Sequence, residues 1–279
     1  MKIGVSAFAW TSSMSSSNLN LVQRVRDYGF DAFEIPMFDP MDLAVADLRR
    51  AFEASALDCT ICAILPAEIN PISPDRAMRK RSILHLADCV KTAGEIGARI
   101  LGGPLFAPIG YLPQHRPTTD EWAWAIEAFQ SLGDLLDEAE VTLSIEPVNR
   151  SETFFIRTAA EAKKLCEAIS HVRVGVTIDT FHANIEEKSI PAAIRTLGSS
   201  LKHLHLSEND RGLLGSGHID FREILRAAAR TQYDGYLILE GFGFSENEPH
   251  APGALWADKH LSPEEFAVQG LDYLKGLTP

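Results

Sequence analysis

Short runs rich in Val, Ile and Leu alternate along the whole chain with longer stretches whose apolar residues recur every three or four positions. The runs predict eight strands: Ile3–Phe8, Ala32–Ile35, Asp58–Leu65, Arg99–Pro104, Val141–Glu146, Arg173–Ile178, Lys202–Leu206 and Tyr236–Glu240. The stretches between them predict helices near 18–28, 44–56, 76–97, 119–138, 158–169, 190–198, 221–230 and 263–276. Some helix starts are written out. Thr118 with Glu121, Asp220 with Glu223, and Ser262-Pro263 with Glu265 read as capping boxes or close variants, with Pro263 at the first helical position, where a missing N–H costs nothing.

Eight strand–helix units suit either a closed barrel or an open doubly wound sheet. The turn after the first strand reads AFAWTSSMSSS, with neither GxGxxG nor GxxxxGK[ST], so no pyrophosphate cradle is built there. A chain of 279 residues without a Ser/Gly/Pro-rich linker then fits one α/β fold, a single (β/α)8 TIM-barrel catalytic domain over 1–279.

Composition narrows the partners. A formal charge of −12 repels phosphate backbones and anionic membranes, so neither nucleic acid nor membrane is expected as a partner. The N-terminus MKIGVSAFAW lacks an apolar signal core, and no apolar run approaches the roughly 18 residues of a membrane span, which makes the cytoplasm the expected location. Cysteines at 59, 62, 89 and 166 are too few and uneven for a disulfide framework, and the CTIC pair reads as small hydrophobes in a buried strand.

The chemistry gathers at the ends of the last four strands. SIEPVNR closes the fifth, TIDTFHANIE the sixth, HLHLSEND the seventh and LILEGFG the eighth. In a barrel these edges converge on one rim, where active sites form. Taken singly, Glu146, Asp179 and Glu240 could each be a helix cap or a loop ion pair, and His205 shares its strand face with His203, so either imidazole could be a satisfied core residue. Repetition on four consecutive strands instead asks for a common cation. Three carboxylates and one imidazole, without a thiolate, are donors for Mn²⁺, Co²⁺ or Mg²⁺. Carboxylates on strands five and eight would flank a bound substrate, a geometry for taking a proton from one face of a carbon and returning it to the other. Glu34, by alternation opposite in direction to Phe33 and Ile35, either reaches this site or makes a loop ion pair.

These motifs resemble those of the xylose-isomerase-like sugar isomerase and epimerase superfamily, and within it the D-tagatose/D-psicose (allulose)/L-ribulose 3-epimerase branch. The likeness spans the chain: AFAW, EIP, GGPLF, EPVNRSE, DTFHAN, HLHLSENDRG with GSGHIDF, and LEGF. The resemblance implies one Mn²⁺ or Co²⁺ on Glu146, Asp179, His205 and Glu240, with Glu146 and Glu240 also serving as the acid/base pair at C3 of a free ketohexose or ketopentose, through a cis-enediolate. It further implies that Glu152, His182 and Arg211 hold the O1/O2 end of the sugar, and that the enzyme is a homodimer or homotetramer. Asn149 and Arg150 are expected to orient Glu146. Phe8, Trp10, Leu65, Leu105 and Phe106 are expected to cover the sugar's face, and the Gly/Pro-rich stretch Phe242–His260 to cover the rim or meet a neighbouring subunit.

Three other readings compete. EPVNR also resembles the EPIN stretch of hydroxypyruvate isomerase, which moves a proton between adjacent carbons. An endonuclease IV-like repair enzyme would need clustered histidines and a basic groove, which this acidic chain lacks. A non-catalytic sugar-binding barrel would not need both carboxylates intact.

Overall fold

A computed structural model describes residues 1–242 and 261–277. All eight predicted strands form, and they pair in parallel in chain order to close a barrel: β1 (Lys2–Ser6), β2 (Ala32–Met37), β3 (Asp58–Ala63), β4 (Ile100–Gly103), β5 (Thr142–Ile145), β6 (Val174–Asp179), β7 (Leu201–Leu206) and β8 (Tyr236–Leu239). Closure runs through β1 against β8, with Val5 opposite Leu239. The first strand is shorter than expected because Ser6 accepts from the Phe8 N–H and starts a 3₁₀ turn over Ala7–Ala9.

Helices α1 (Asn20–Tyr28), α2 (Val45–Ser55), α3 (Arg76–Ile96), α4 (Thr119–Gln130), α5 (Gly133–Glu138), α6 (Ala159–Ile169), α7 (Thr180–Glu186), α8 (Ile190–Leu197), α9 (Phe221–Arg230) and α10 (Pro263–Leu277) accompany the strands. Thr118 with Glu121 forms the reciprocal capping box read from the sequence, and Ser262 with Glu265 does the same. Thr158 with Glu161 forms a third box, not among those expected.

Two helix expectations need correction. The helix expected over 119–138 divides at Ser131–Leu132, where the Ser131 hydroxyl donates to the Ala128 carbonyl at 2.6 Å and Gly133 follows. The short α7 was not expected. It begins directly on β6, because Asp179 caps it by accepting from the Phe181 N–H at 2.9 Å.

The strands are apolar on both faces only at the bottom of the barrel. Outward-facing Val5, Phe33, Ile35, Ile61, Leu143, Val176, Leu204 and Leu237 join the main core beneath the helices. Inside, Ala32, Ile100, Tyr236 and Ile238 meet across the barrel as a small separate cluster. Above them the interior turns polar, with Glu34, Thr60, Ser144, Thr177 and His203 all fully buried. Such groups need internal partners, since burying one without any costs about 1–3 kcal/mol. The Thr177 hydroxyl duly donates to Ser144 Oγ at 2.7 Å.

Gly103 ends β4 with φ +124°, and a Cβ there would collide with the Ala63 backbone. Gly103→Ala is therefore expected to cost about 3 kcal/mol, combining left-handed strain with a backbone clash. For a domain of this size that lowers Tm by about 6–12 °C in a thermal melt; a shift under about 2 °C would show that the β3–β4 edge yields.

Among the described residues no helix is long and apolar enough to cross a membrane. The four cysteines are free and buried. Cys59 faces the outer core, while Cys62, three positions on and so on the other strand face, lies with oxygens of Glu34 and Glu240 inside one 4.8 Å group. CTIC is thus not a chelating pair, and both cysteines are small buried residues of β3, as read from the sequence.

Candidate active site and cation centre

The four strand-end residues converge at the top of the barrel, each almost fully buried. His205, on β7, is the hub: its Nδ1 lies 3.4 Å from Glu146 Oε1 and 3.6 Å from Glu240 Oε1. Glu146 and Asp179 have oxygens within 4.8 Å of each other and of a His182 nitrogen. Asp179 divides its labour, one oxygen capping α7 and the other turned into the cluster. The helix-cap alternative was thus correct for Asp179 without displacing the functional one.

Arg211 is the permanent cation here. Its Nη1 donates to Glu240 Oε2 at 2.6 Å and to the Ser207 hydroxyl at 2.6 Å, and lies 2.8 Å from Asp179 Oδ2. Its guanidinium is held between the rings of Phe181 and Phe242, at 4.3 and 4.9 Å, and Phe242 in turn packs against Phe8. Arg211 itself has φ +59°, and the loop that holds it in this left-handed conformation hangs on Glu208. Glu208, fully buried, accepts from the Asn209, Gly215 and Ile219 N–H groups at 3.0–3.1 Å. Nothing in HLHLSEND marks Glu208 as more than another polar loop residue, since its partners are backbone groups up to eleven positions away.

Glu152 and His182 meet through Asn149. The Asn149 amide donates to Glu152 Oε1 at 2.8 Å, and its backbone N–H donates to His182 Nδ1 at 3.3 Å. His182 Nε2 lies 3.3 Å from Arg211 Nη2, which can only donate, and 3.5 Å from Asp179 Oδ2. The expectation that Asn149 and Arg150 orient Glu146 needs correction. Asn149 serves Glu152 and His182, and Arg150 turns outward into a two-pronged pair with Glu186. Of the expected apolar cover, Leu65, Leu105 and Phe106 belong to the main core, Phe106 packing on Phe155, while Phe8 stays at the rim beside Phe38 and Phe242. The stretch from 243 to 260, including Trp256, lies outside the described residues.

Charge in the cluster does not balance. Burial, with Asp179 and Glu146 adding to it, pushes the Glu240 carboxyl up to about 7 in spite of His205 and Arg211. Burial would also raise Asp179, but Arg211, His182 and His205 outweigh it and hold that carboxyl below its ordinary range. His205 goes the other way: burial opposes its charging, yet Glu34, Glu240 and Glu146 hold it well above the ordinary imidazole value. Asp179 Oδ2 and His205 Nδ1 are buried without a hydrogen bond. Three carboxylates short of positive charge, with orphaned donor atoms turned toward one another, are the environment a divalent cation fits.

The profile of the xylose isomerase-like TIM barrel family matches residues 22–276. L-ribulose 3-epimerase of Mesorhizobium japonicum is 32% identical over 242 residues, covering 86% of this chain and 81% of its own. A solved L-ribulose 3-epimerase superposes with a TM-score of 0.90 at 30% identity, covering 99% of this chain and 94% of that one. D-psicose 3-epimerase of Clostridium cellulolyticum H10, solved with D-tagatose, superposes at 0.87 with 26% identity, covering 99% of both chains.

Proposed function

The chain belongs to the xylose isomerase-like TIM barrel family, and from that premise we propose that it is a ketose 3-epimerase acting on a free ketohexose or ketopentose with the help of one divalent cation. The observation that carries this reading is the pair of buried carboxylates, Glu146 from β5 and Glu240 from β8, facing one nitrogen of His205. Epimerisation at C3 needs a base and an acid on opposite faces of one carbon, and C3 of a ketose is acidic because it adjoins the C2 carbonyl.

Glu146, Asp179, His205 and Glu240 would hold the cation; oxygen-rich with one imidazole, they suit Mn²⁺ or Co²⁺, with Mg²⁺ as a third choice. When bound, it supplies Lewis acidity that lowers the pKa of the C3 proton and offsets the negative charge of the cis-enediolate. The protein does the rest. One of Glu146 and Glu240 takes the C3 proton and the other returns one from the opposite face, and a site buried to this degree keeps bulk water from quenching the carbanion. Arg211, held in place by Glu240 and Asp179, would donate to the sugar's O1/O2 end with His182 Nε2 beside it, while Glu152 would accept from a sugar hydroxyl. Phe8, packed on Phe242 beside the Arg211 guanidinium, offers apolar surface at that end of the site.

The test is isotope exchange in D₂O with Mn²⁺-loaded protein and D-fructose, D-tagatose or L-ribulose, followed at C3 by NMR. Deuterium should enter C3 as the 3-epimer forms. Exchange confined to C1 would assign an aldose–ketose isomerase of the hydroxypyruvate type instead, and no exchange on any ketose would leave a sugar-binding barrel.

A further inference from the structure

Glu34 lies on β2 beneath the carboxylate cluster with no exposed surface, and proton abstraction does not require it. A buried carboxylate is costly unless both oxygens find donors. Oε2 is satisfied twice, by His203 Nε2 at 2.7 Å and by the Thr60 hydroxyl at 3.0 Å. Oε1 has no aligned hydrogen bond, and it faces Nε2 of His205 at 2.9 Å. The two imidazoles lie edge to face with centroids 5.0 Å apart, so one carboxylate spans both rings.

We infer that Glu34 is a positioning residue that holds a proton on His205 Nε2, so that Nδ1, turned toward Glu146 and Glu240, is the nitrogen that gives up its proton to a cation. The inference rests on the cation-centre reading above. Neither nitrogen of His205 has an aligned hydrogen bond, but Nε2 lies 2.9 Å from Glu34 Oε1, the length of one, whereas Nδ1 stands 3.4 and 3.6 Å from Glu146 and Glu240. A proton kept on Nδ1 would point toward Glu146 and Glu240 and oppose a cation there. The carboxylate also fixes the ring's rotation and strengthens it as a donor.

Glu34→Gln tests this, because an amide has one carbonyl for two imidazoles. If its NH₂ faces His205, the proton moves to Nδ1. Mn²⁺ binding, read from the free-ion EPR signal without any turnover, is expected to weaken about 10- to 100-fold, while the ketose KM at saturating Mn²⁺ changes less than about threefold. An Mn²⁺ affinity within twofold of wild type in a folded E34Q protein whose ¹⁵N spectrum places the His205 proton on Nδ1 would reduce Glu34 to a core ion pair and overturn the inference. If that variant does not fold, ¹⁵N NMR of histidines in Mg²⁺-loaded wild type decides: a slowly exchanging, downfield proton on His205 Nε2 supports the role, and a proton on Nδ1 overturns it. Wild type that takes up no Mn²⁺ removes the cation-centre reading and this inference with it, whereas normal wild-type uptake matched by E34Q protonated on Nδ1 removes Glu34's role alone.

Discussion

Glu240→Gln is expected to lower kcat/KM on a ketose by at least three orders of magnitude, with C3 deuterium exchange lost in parallel. Removing one positioned acid/base group costs about 10²–10⁴-fold, and here the same carboxylate is also proposed to hold the cation, so the two losses compound. Glutamine keeps the shape and can donate to neighbours, so a folding defect is not expected to supply the effect. Mn²⁺ content measured alongside separates the contributions: a variant that still fills with Mn²⁺ but does not exchange has lost the proton-transfer group. Retention of a tenth of the wild-type activity would remove Glu240 from the acid/base pair.

The second large effect concerns stability. Arg211→Met removes the cation that Glu240 and Asp179 share, and breaking a buried pair by deleting one partner costs about 3–5 kcal/mol because the remaining charge is uncompensated. Metal-free R211M should therefore unfold well below metal-free wild type, and saturating Mn²⁺ should close part of the gap by binding only the folded state. The pH dependence follows from both carboxyls. Asp179, depressed in the folded protein after Arg211 outweighs burial, contributes stability that is present above its unfolded value and lost as pH falls through the depressed one. Glu240, raised to about 7, contributes stability that is full below its unfolded value of 4.5 and lost as pH rises through 7. Without Arg211 the first contribution vanishes and the second is lost over a longer rise, so the deficit should widen from pH 4 to above pH 7. Urea titrations at pH 4, 6 and 8 measure it; a gap independent of pH would assign the loss to packing of the guanidinium between Phe181 and Phe242.

Arg211 also shows why some of this site could be read from the chain and some could not. Carboxylates at strand ends are visible because strand period and barrel closure fix where an end points: SIEP, TID and LILE each announce a charged group at the close of an apolar run, Glu146 and Glu240 meeting at His205 and Asp179 lying beside Glu146. Arg211 lies in a loop with no period, and its place among Phe181, Phe242, Asp179 and Glu240 depends on a left-handed backbone conformation and on Glu208 pulling three N–H groups inward. Resemblance pointed to it; local pattern did not. Arg150 is the converse case, a neighbour of EPVN in sequence whose side chain leaves for Glu186 because the loop turns there.

The fold itself was determined by alternation. Eight apolar runs with helical stretches between them have few solutions, and without a glycine-rich first turn the closed barrel was preferred; every strand appeared within a few residues of its expected place. Only the tertiary structure decided what the polar side chains of the barrel interior do. Alternation sends Glu34, Thr60, His203 and His205 inward, but whether Glu34 ends in a loop ion pair or beneath His205 depends on which strands lie across from β2 once the sheet has closed. Periodicity is a local property of the backbone and survives in the sequence. A pairing between residues 34 and 205 is made by barrel closure, across a low-dielectric interior where each buried charge must take whatever partner the other strands bring.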